Sequence, residues 1–401
     1  MDDLILPAWP SQFSETMRIG FALVVAGLVG EGLARFVRLP RVSGYSLAGL
    51  LLGPVAFGWF GLHDMVSFRI VIDLALALLL FELGTRVDLK WLRTNPWIVP
   101  LSLAEAGLTF GATFAVLLLL GTTSGFAATV GAIAIGTSPT VVMRVATELR
   151  AEGQVTQRLF VFTALNVLYS VVLSKLIVGG MHGAFRNDWI AAVVHPMYLL
   201  FGSILMGGMI SAAFCMLRRF FELSDELAVA MLIGLLLVTL SLLKILALPT
   251  ILAPLLAGFM VKNSDRRPIL WPRHFGTAGG VLTILLFVLT GATLTAKDMV
   301  AGGMLALAVI AARVIGKGAG LAAFGAVGGL SHRQTLALGL ALMPMSAVAF
   351  VLVDDIVALY PEFGAQVGAV VLSMIAILQL ISPIGVQWAL RMSNETNERE
   401  R

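Results

Sequence analysis

Apolar runs close to 20 residues long recur along the whole chain, and no stretch between them is polar enough to cover a soluble core. A hydrocarbon layer about 30 Å thick requires runs of that length. Inside it, only helices or closed barrels satisfy every backbone polar group. Of the 401 residues, 59% are hydrophobic and 12% are charged, about half the roughly 25% charge of a soluble domain. The chain therefore reads as an all-α polytopic membrane protein.

The formal net charge of +4 reports Lys/Arg-rich loops on one side of a membrane rather than a nucleic-acid surface. Cys215 is the single cysteine, so no intrachain disulfide forms, and the five histidines are scattered without metal-ligand spacing. No cofactor is expected. No catalytic dyad stands out at depth, so the chain is not expected to be an enzyme. The opening residues MDDLILPAWP carry two acids and no basic segment, unlike a cleavable signal peptide.

Hydropathy and helix breakers place thirteen spans at 16–36, 43–60, 66–88, 96–120, 124–147, 156–180, 195–217, 224–243, 245–262, 274–294, 298–324, 333–358 and 363–390. Loop charge then sets the orientation. With the N-terminus outside, 19 of the 27 Lys and Arg fall on inner loops, six fall outside, and Arg313 and Lys317 lie within the membrane. That bias predicts a protein with its N-terminus outside and its C-terminus, including a short tail at 391–401, in the cytoplasm.

The chain also resembles itself. SLAGLLLGP (46–54) in span 2 answers LAPLLAGFM (252–260) in span 9. LLLFELGTRV (78–87) in span 3 answers LLFVLTGATL (285–294) in span 10. GTSPT (136–140) in span 5 answers LMPMS (342–346) in span 12. All three obey one shift of seven spans. Seven is odd, so partners run in opposite directions, as in the inverted repeats of secondary transporters. The expected organisation is one transmembrane transporter domain: a first repeat over 16–180, a linker helix at 195–217 and a second repeat over 224–390. Pro139 and Pro344 fall midway through their spans, where proline removes a donor and clashes with the preceding turn. A break at corresponding positions of two repeats predicts discontinuous helices that cross, since unwound backbone at that depth survives only when buried in protein or lining a cavity.

Charge at the bilayer centre is costly unless paired or hydrated. Arg313 lies roughly 22 Å into span 11 at 1.5 Å per residue, and Lys317 follows one turn later on the same face. Structurally, Arg313 would clamp broken-helix carbonyls and Lys317 would snorkel inward. Functionally, one of them would balance an ion site, and only the lysine could give up its proton. Glu105 is the deepest acid and Glu82 lies nearer the inner end of span 3; each could pair with Arg313 or Lys317, or serve as a proton carrier of tunable pKa. Glu31 and Arg35 form an i,i+4 pair. Asp73 is placed near an outer funnel, and Asp354, Asp355 and Glu362 form an outer acidic patch.

Five segments, in order and at fixed helix numbers, carry a resemblance: LPRVSGYSLAGLLLGP (39–54), LLLFELGTRVDLKWLR (78–93), IGTSPTVVMRV (135–145), ARVIGKGAG (312–320) and LGLALMPMSAVA (338–349). Over essentially its whole length the chain resembles the monovalent cation/proton antiporter superfamily of bacterial sodium–proton and potassium–proton exchangers. The resemblance implies a homodimer, thirteen helices, a core with crossed broken helices 5 and 12, and elevator-like alternating access. It also implies an ion site lined by Thr137, Ser138 and the 344–346 backbone, including Met345 and Ser346, with Arg313 or Lys317 as the basic residue of span 11. The family's ion-binding Asp lies on span 6, in an Asn-Asp or Asp-Asp pair. Here that span reads TALNVLYSVV (163–172), and Asn166 stands in the pair in either register, with Leu165 or Val167 beside it. Arg86 stands where the family often has Glu, and Asp88 is retained.

An amide cannot carry a proton near neutral pH, although its carbonyl can ligate a cation. The expected function is antiport of protons against Na⁺, K⁺ or Li⁺, with coupling displaced to Glu105 or Glu82. The alternative is a family member that is uncoupled, carries another solute, or acts as a transport-dead sensor.

Overall fold

The computed structural model describes residues 14–60, 62–186, 189–221, 225–264, 273–292, 300–345 and 347–397, and no strand occurs among them. The elements are α1 (Glu15–Gly32), which continues as a π-helical turn (Leu33–Val37), then α2 (Arg41–Leu52), α3 (Leu62–Thr85), α4 (Leu89–Thr94), α5 (Ile98–Leu119), α6 (Ser124–Ile135), α7 (Pro139–Glu148) and α8 (Gln154–Arg186). They continue with α9 (Trp189–Phe220), α10 (Asp225–Ile245), α11 (Leu252–Ser264), α12 (Arg273–Ala292), α13 (Gly303–Phe324), α14 (His332–Ala341), α15 (Ala347–Leu359) and α16 (Pro361–Met392). Each predicted span coincides with one helix or, for spans 5 and 12, with a pair of half-helices. Eight of the described segments are long and apolar enough to cross a membrane by length and composition alone.

The boundaries differ where local chemistry overrides hydropathy. Span 2 ends at Leu52 rather than at residue 60, because Gly53 and Pro54 open a turn closed by Gly58 at φ 61, a conformation suited to glycine. Span 9 begins at Leu252 rather than at 245. Ala247 turns left-handed at φ 49, and Pro249 follows two residues later. Short α4 was not expected from hydropathy. It forms because the Asp88 carboxylate accepts from the Lys90 and Trp91 amides, an N-cap for its first turn.

Glycines set the closest helix crossings. A Cβ on Gly49 of α2 would collide with the Val288 backbone of α12, and one on Gly258 of α11 would collide with Phe81 of α3. These two crossings join spans 2 and 10 and spans 9 and 3, so the shift of seven turns one into the other: the inverted repeat is visible in the packing. The third crossing joins α5 to α13. Cβ atoms on Gly316 and Gly320 would lie 2.6 Å from Thr109 Cα and 2.5 Å from Glu105 Cα. Small residues four apart allow such backbone approach in membranes.

The largest apolar cluster surrounds the two broken helices. A second cluster unites α3, α9, α10 and α11, and a third unites α1, α2 and α12.

Candidate functional site

Two discontinuous helices cross in the middle of the protein. Thr123 caps the start of α6, which stops at Ile135, and α7 restarts with Pro139 at its first position and Ser138 as its N-cap. Proline suits that first position, because the N–H it lacks would be unpaired there anyway. α14 begins with a capping box of Ser331 and Gln334 and stops at Ala341, and α15 restarts at Ala347. The extended linkers pair where they cross: the Ser138 amide donates to Pro344 O at 2.9 Å, and the Thr137 hydroxyl donates to Leu342 O at 3.1 Å.

Both α6 and α14 end at this point, so unpaired carbonyls and the negative ends of two helix dipoles converge there. Arg313 answers them. Its Nε donates to Ala134 O at 2.7 Å and its terminal nitrogens to Gly136 O at 2.6 Å, Pro344 O at 3.2 Å, Leu342 O at 3.4 Å and Met343 O. A planar fork with five donors fits five convergent carbonyls; an ammonium does not. The guanidinium thus has the hydrogen bonds of a clamp, one of the two readings that the sequence left open for Arg313.

Lys317 does not snorkel. It is fully buried, and its ammonium donates to Glu105 Oε1 at 2.5 Å, to Ile135 O at 3.1 Å and to the Thr137 hydroxyl at 3.4 Å. Thr137 Oγ1 also accepts from Asn166 Nδ2 at 3.2 Å. Glu105, Lys317, Thr137 and Asn166 therefore form one hydrogen-bonded chain drawn from α5, α13, the first linker and α8. At its two ends, Glu105 Oε2 and Asn166 Oδ1 are buried acceptors with no hydrogen-bond partner. Orphaned acceptors at that depth are costly, and their lone pairs suit a bare cation.

The remaining candidates lie apart from this chain. Ser138 is buried, but its hydroxyl caps its own helix, 3.4 Å from the Val141 amide and 2.8 Å from Thr140 Oγ1. Met345 is buried in the apolar core of the crossover. Ser346 lies outside the described residues. Glu82 pairs with Arg86 at 3.5 Å and lines a separate cavity of about 140 Å³ with Arg144, whose guanidinium donates to Gly279 O at 2.9 Å. Of the acids expected on the outer side, three are ion-paired: Asp73 with Lys244 at 2.6 Å, Asp355 with Lys175 at 2.6 Å and Asp354 with Arg69 at 3.6 Å. Glu31 pairs with Arg35 as its spacing predicts. The α5–α13 crossing that brings Glu105 to Lys317 was marked in the sequence by Gly316 and Gly320, the small residues flanking the lysine in GKGAG.

A family model described as "Sodium/hydrogen exchanger, transmembrane" matches residues 20–392. Two structures of a sodium proton antiporter from Methanocaldococcus jannaschii are similar to this chain at 18% identity. One, at pH 8, has a TM-score of 0.74 and covers 95% of this chain and 98% of its own. The other, from an electron-microscopy map, has a TM-score of 0.71 and covers 94% of each chain. No curated protein matches the chain.

Proposed function

Because the chain belongs to the sodium/hydrogen exchanger family, a polytopic membrane family of cation:proton antiporters, we propose that it exchanges monovalent cations for protons at the Glu105–Lys317 pair. The observation that carries this reading is the buried 2.5 Å contact between these two side chains, beside the unpartnered oxygens of Glu105 and Asn166.

The chemistry follows from local charge. While Lys317 is protonated, it neutralises Glu105, and Arg313 answers the two helix ends. When the lysine gives up its proton, one uncompensated negative charge is left on Glu105. A Na⁺, K⁺ or Li⁺ ion entering beside that carboxylate restores neutrality, with Asn166 Oδ1, Thr137 Oγ1 and Ile135 O as further oxygen ligands. One cation then replaces one proton, so the two compete for a single site. Arg313 stays charged throughout and holds the crossover together. Glu82 has no part in this exchange.

Exposing such a site to each side in turn requires alternating access. Our reading places the protein in the inner membrane as a homodimer, N-terminus outside and C-terminus inside. The orientation rests on the Lys/Arg loop bias, alternating access on the inverted repeat, and the homodimer and inner membrane on the family resemblance.

The test is cation-evoked proton release from proteoliposomes carrying an inward-acid gradient. The wild type releases protons on addition of Na⁺, K⁺ or Li⁺, Glu105→Gln abolishes the response, and Glu82→Gln preserves it. The reading is overturned if folded wild-type protein shows no cation response across pH 6–9, or if Glu105→Gln exchanges normally.

A further inference from the structure

One cavity is lined by none of the crossover residues. It has a volume of about 850 Å³ and opens where the π-helical turn after α1, the start of α2, and the ends of α7 and α16 meet. Five arginines line it, Arg35, Arg38, Arg41, Arg150 and Arg391, against two carboxylates, Glu31 and Glu148. The lining thus carries three net positive charges. Both carboxylates are engaged inside the cluster. Glu31 bridges Arg35 and Arg41 at 2.6 and 2.8 Å, and Glu148 accepts from the Arg41 amide at 3.1 Å and from its guanidinium at 3.5 Å.

Backbone geometry adds a second, independent mark. Arg38 and Arg150 both adopt left-handed conformations, at φ 58 and φ 46. Long side chains take that region only against steric strain, and strain of this kind gathers at ligand sites. Each stands where a helix ends and where glycine is the usual choice. A cation that merely complements a helix dipole can sit anywhere in the last turn and needs no strained backbone. Arginine at two glycine-type positions facing one cavity places two guanidinium forks where glycine would leave none.

We propose that this cavity is a binding site for a phosphate-bearing anion. Guanidinium forks match phosphate oxygens two at a time. The volume lies within the range of organic-ligand pockets, about 300–1,000 Å³, so the phosphate group sits on a larger body. The same chemistry is presented by an anionic phospholipid headgroup and by a soluble organophosphate.

Two arms distinguish these sources, using the full chain purified in detergent. Native mass spectrometry counts phosphatidylglycerol retained after exchange from mixed phosphatidylglycerol/phosphatidylcholine, and calorimetry measures binding of inorganic pyrophosphate in low and high salt. At least one probe binds at one per chain, more weakly in high salt. The Arg38→Gly/Arg150→Gly variant, whose backbone is relieved at both positions, keeps its thermal transition and weakens that binding at least tenfold. Retention of lipid alone assigns the site to the headgroup; pyrophosphate binding alone assigns it to a soluble ligand. Absence of binding by both probes overturns the proposal, as does binding within twofold of wild type in the variant. If the double variant fails to fold, Arg150→Gln decides: at least threefold weaker binding supports the site, and unchanged binding overturns it. None of these outcomes depends on cation exchange.

Discussion

Lys317 Nζ lies 2.5 Å from Glu105 Oε1, and neither side chain reaches solvent. Each half of such a pair is tolerable because the other is present. Removing one partner strands a buried charge, at a cost of about 3–5 kcal/mol, whereas removing both together is far milder. Glu105→Gln and Lys317→Gln are therefore each expected to lower the thermal midpoint, and the double variant to recover much of the loss while remaining inactive in exchange. Thermal unfolding in detergent, read beside proteoliposome flux, checks both halves. Additive losses in the double variant would show that the two side chains do not act as a pair.

Arg313 poses a different question, because its partners are backbone carbonyls. Arg313→Lys keeps the charge but loses the fork that reaches Ala134, Gly136 and Met343 together. Several buried acceptors are then left unpaired, at about 1–3 kcal/mol each. We expect less folded protein and a lower thermal midpoint, with any surviving protein retaining cation-dependent proton release. A variant as stable as wild type would show that the crossover does not depend on this side chain.

Much of this arrangement was legible in the chain itself. The prolines at 139 and 344 sit in apolar spans related by the same seven-helix shift as the other motifs, and hydropathy is strong where every residue faces lipid or core. Arg313 and Lys317 stood out because charge at that depth demands a reason. Which acid meets which base was not legible: Glu82 and Glu105 both satisfied depth, and the choice depends on the α5–α13 crossing angle, a tertiary property. Termini were also hard to read. The Asp88 cap of α4 and the arginines meeting at residues 38 and 150 depend on loop conformation, which leaves little periodic trace.

The crossing that selects Glu105 can be tested through its glycines. A methyl group on Gly320 would lie 2.5 Å from Glu105 Cα, and one on Gly316 2.6 Å from Thr109 Cα. Both neighbours are backbone, so the helices must separate. Gly320→Ala is expected to cost about 1–3 kcal/mol as overpacking and to slow exchange by lengthening the Glu105–Lys317 contact. Gly318→Ala, where an added Cβ meets nothing within 4 Å, is the matched control. Equal behaviour of the two variants would show that the close approach has no role.

Glu395 ties the end of the described chain to the helix that carries Asn166. Its carboxylate accepts from the Val155 and Thr156 amides at 2.8 and 2.7 Å and from the Thr156 hydroxyl at 2.8 Å. This caps the first turn of α8 from a distant segment, and a carboxylate there also meets the positive end of the helix dipole. Glu395→Ala should lower stability by about 0.5–2 kcal/mol, the range for a lost N-cap, and raise amide exchange at the start of α8. Unchanged exchange at residues 155–157 would show that the helix start is held by other contacts.

Asn166 offers the sharpest test of where the cation sits. Its amide nitrogen donates to Thr137, and its oxygen is buried without a partner. Asn166→Asp exchanges a neutral ligand for a carboxylate of nearly the same shape. Above the pH at which the new group ionises, a second negative oxygen beside the cation should lower the apparent KM for Na⁺ roughly tenfold, the equivalent of about 1.4 kcal/mol. Below that pH the new carboxyl holds a proton and the gain disappears, so the KM ratio between variant and wild type should rise as the medium is acidified. Asn166→Ala, lacking any oxygen, should raise KM at every pH. Initial rates of cation-evoked proton release at pH 6.5 and 8.5 separate these outcomes. If neither substitution moves KM at either pH, the cation does not touch Asn166, and its coordination shell must be sought around Glu105 alone.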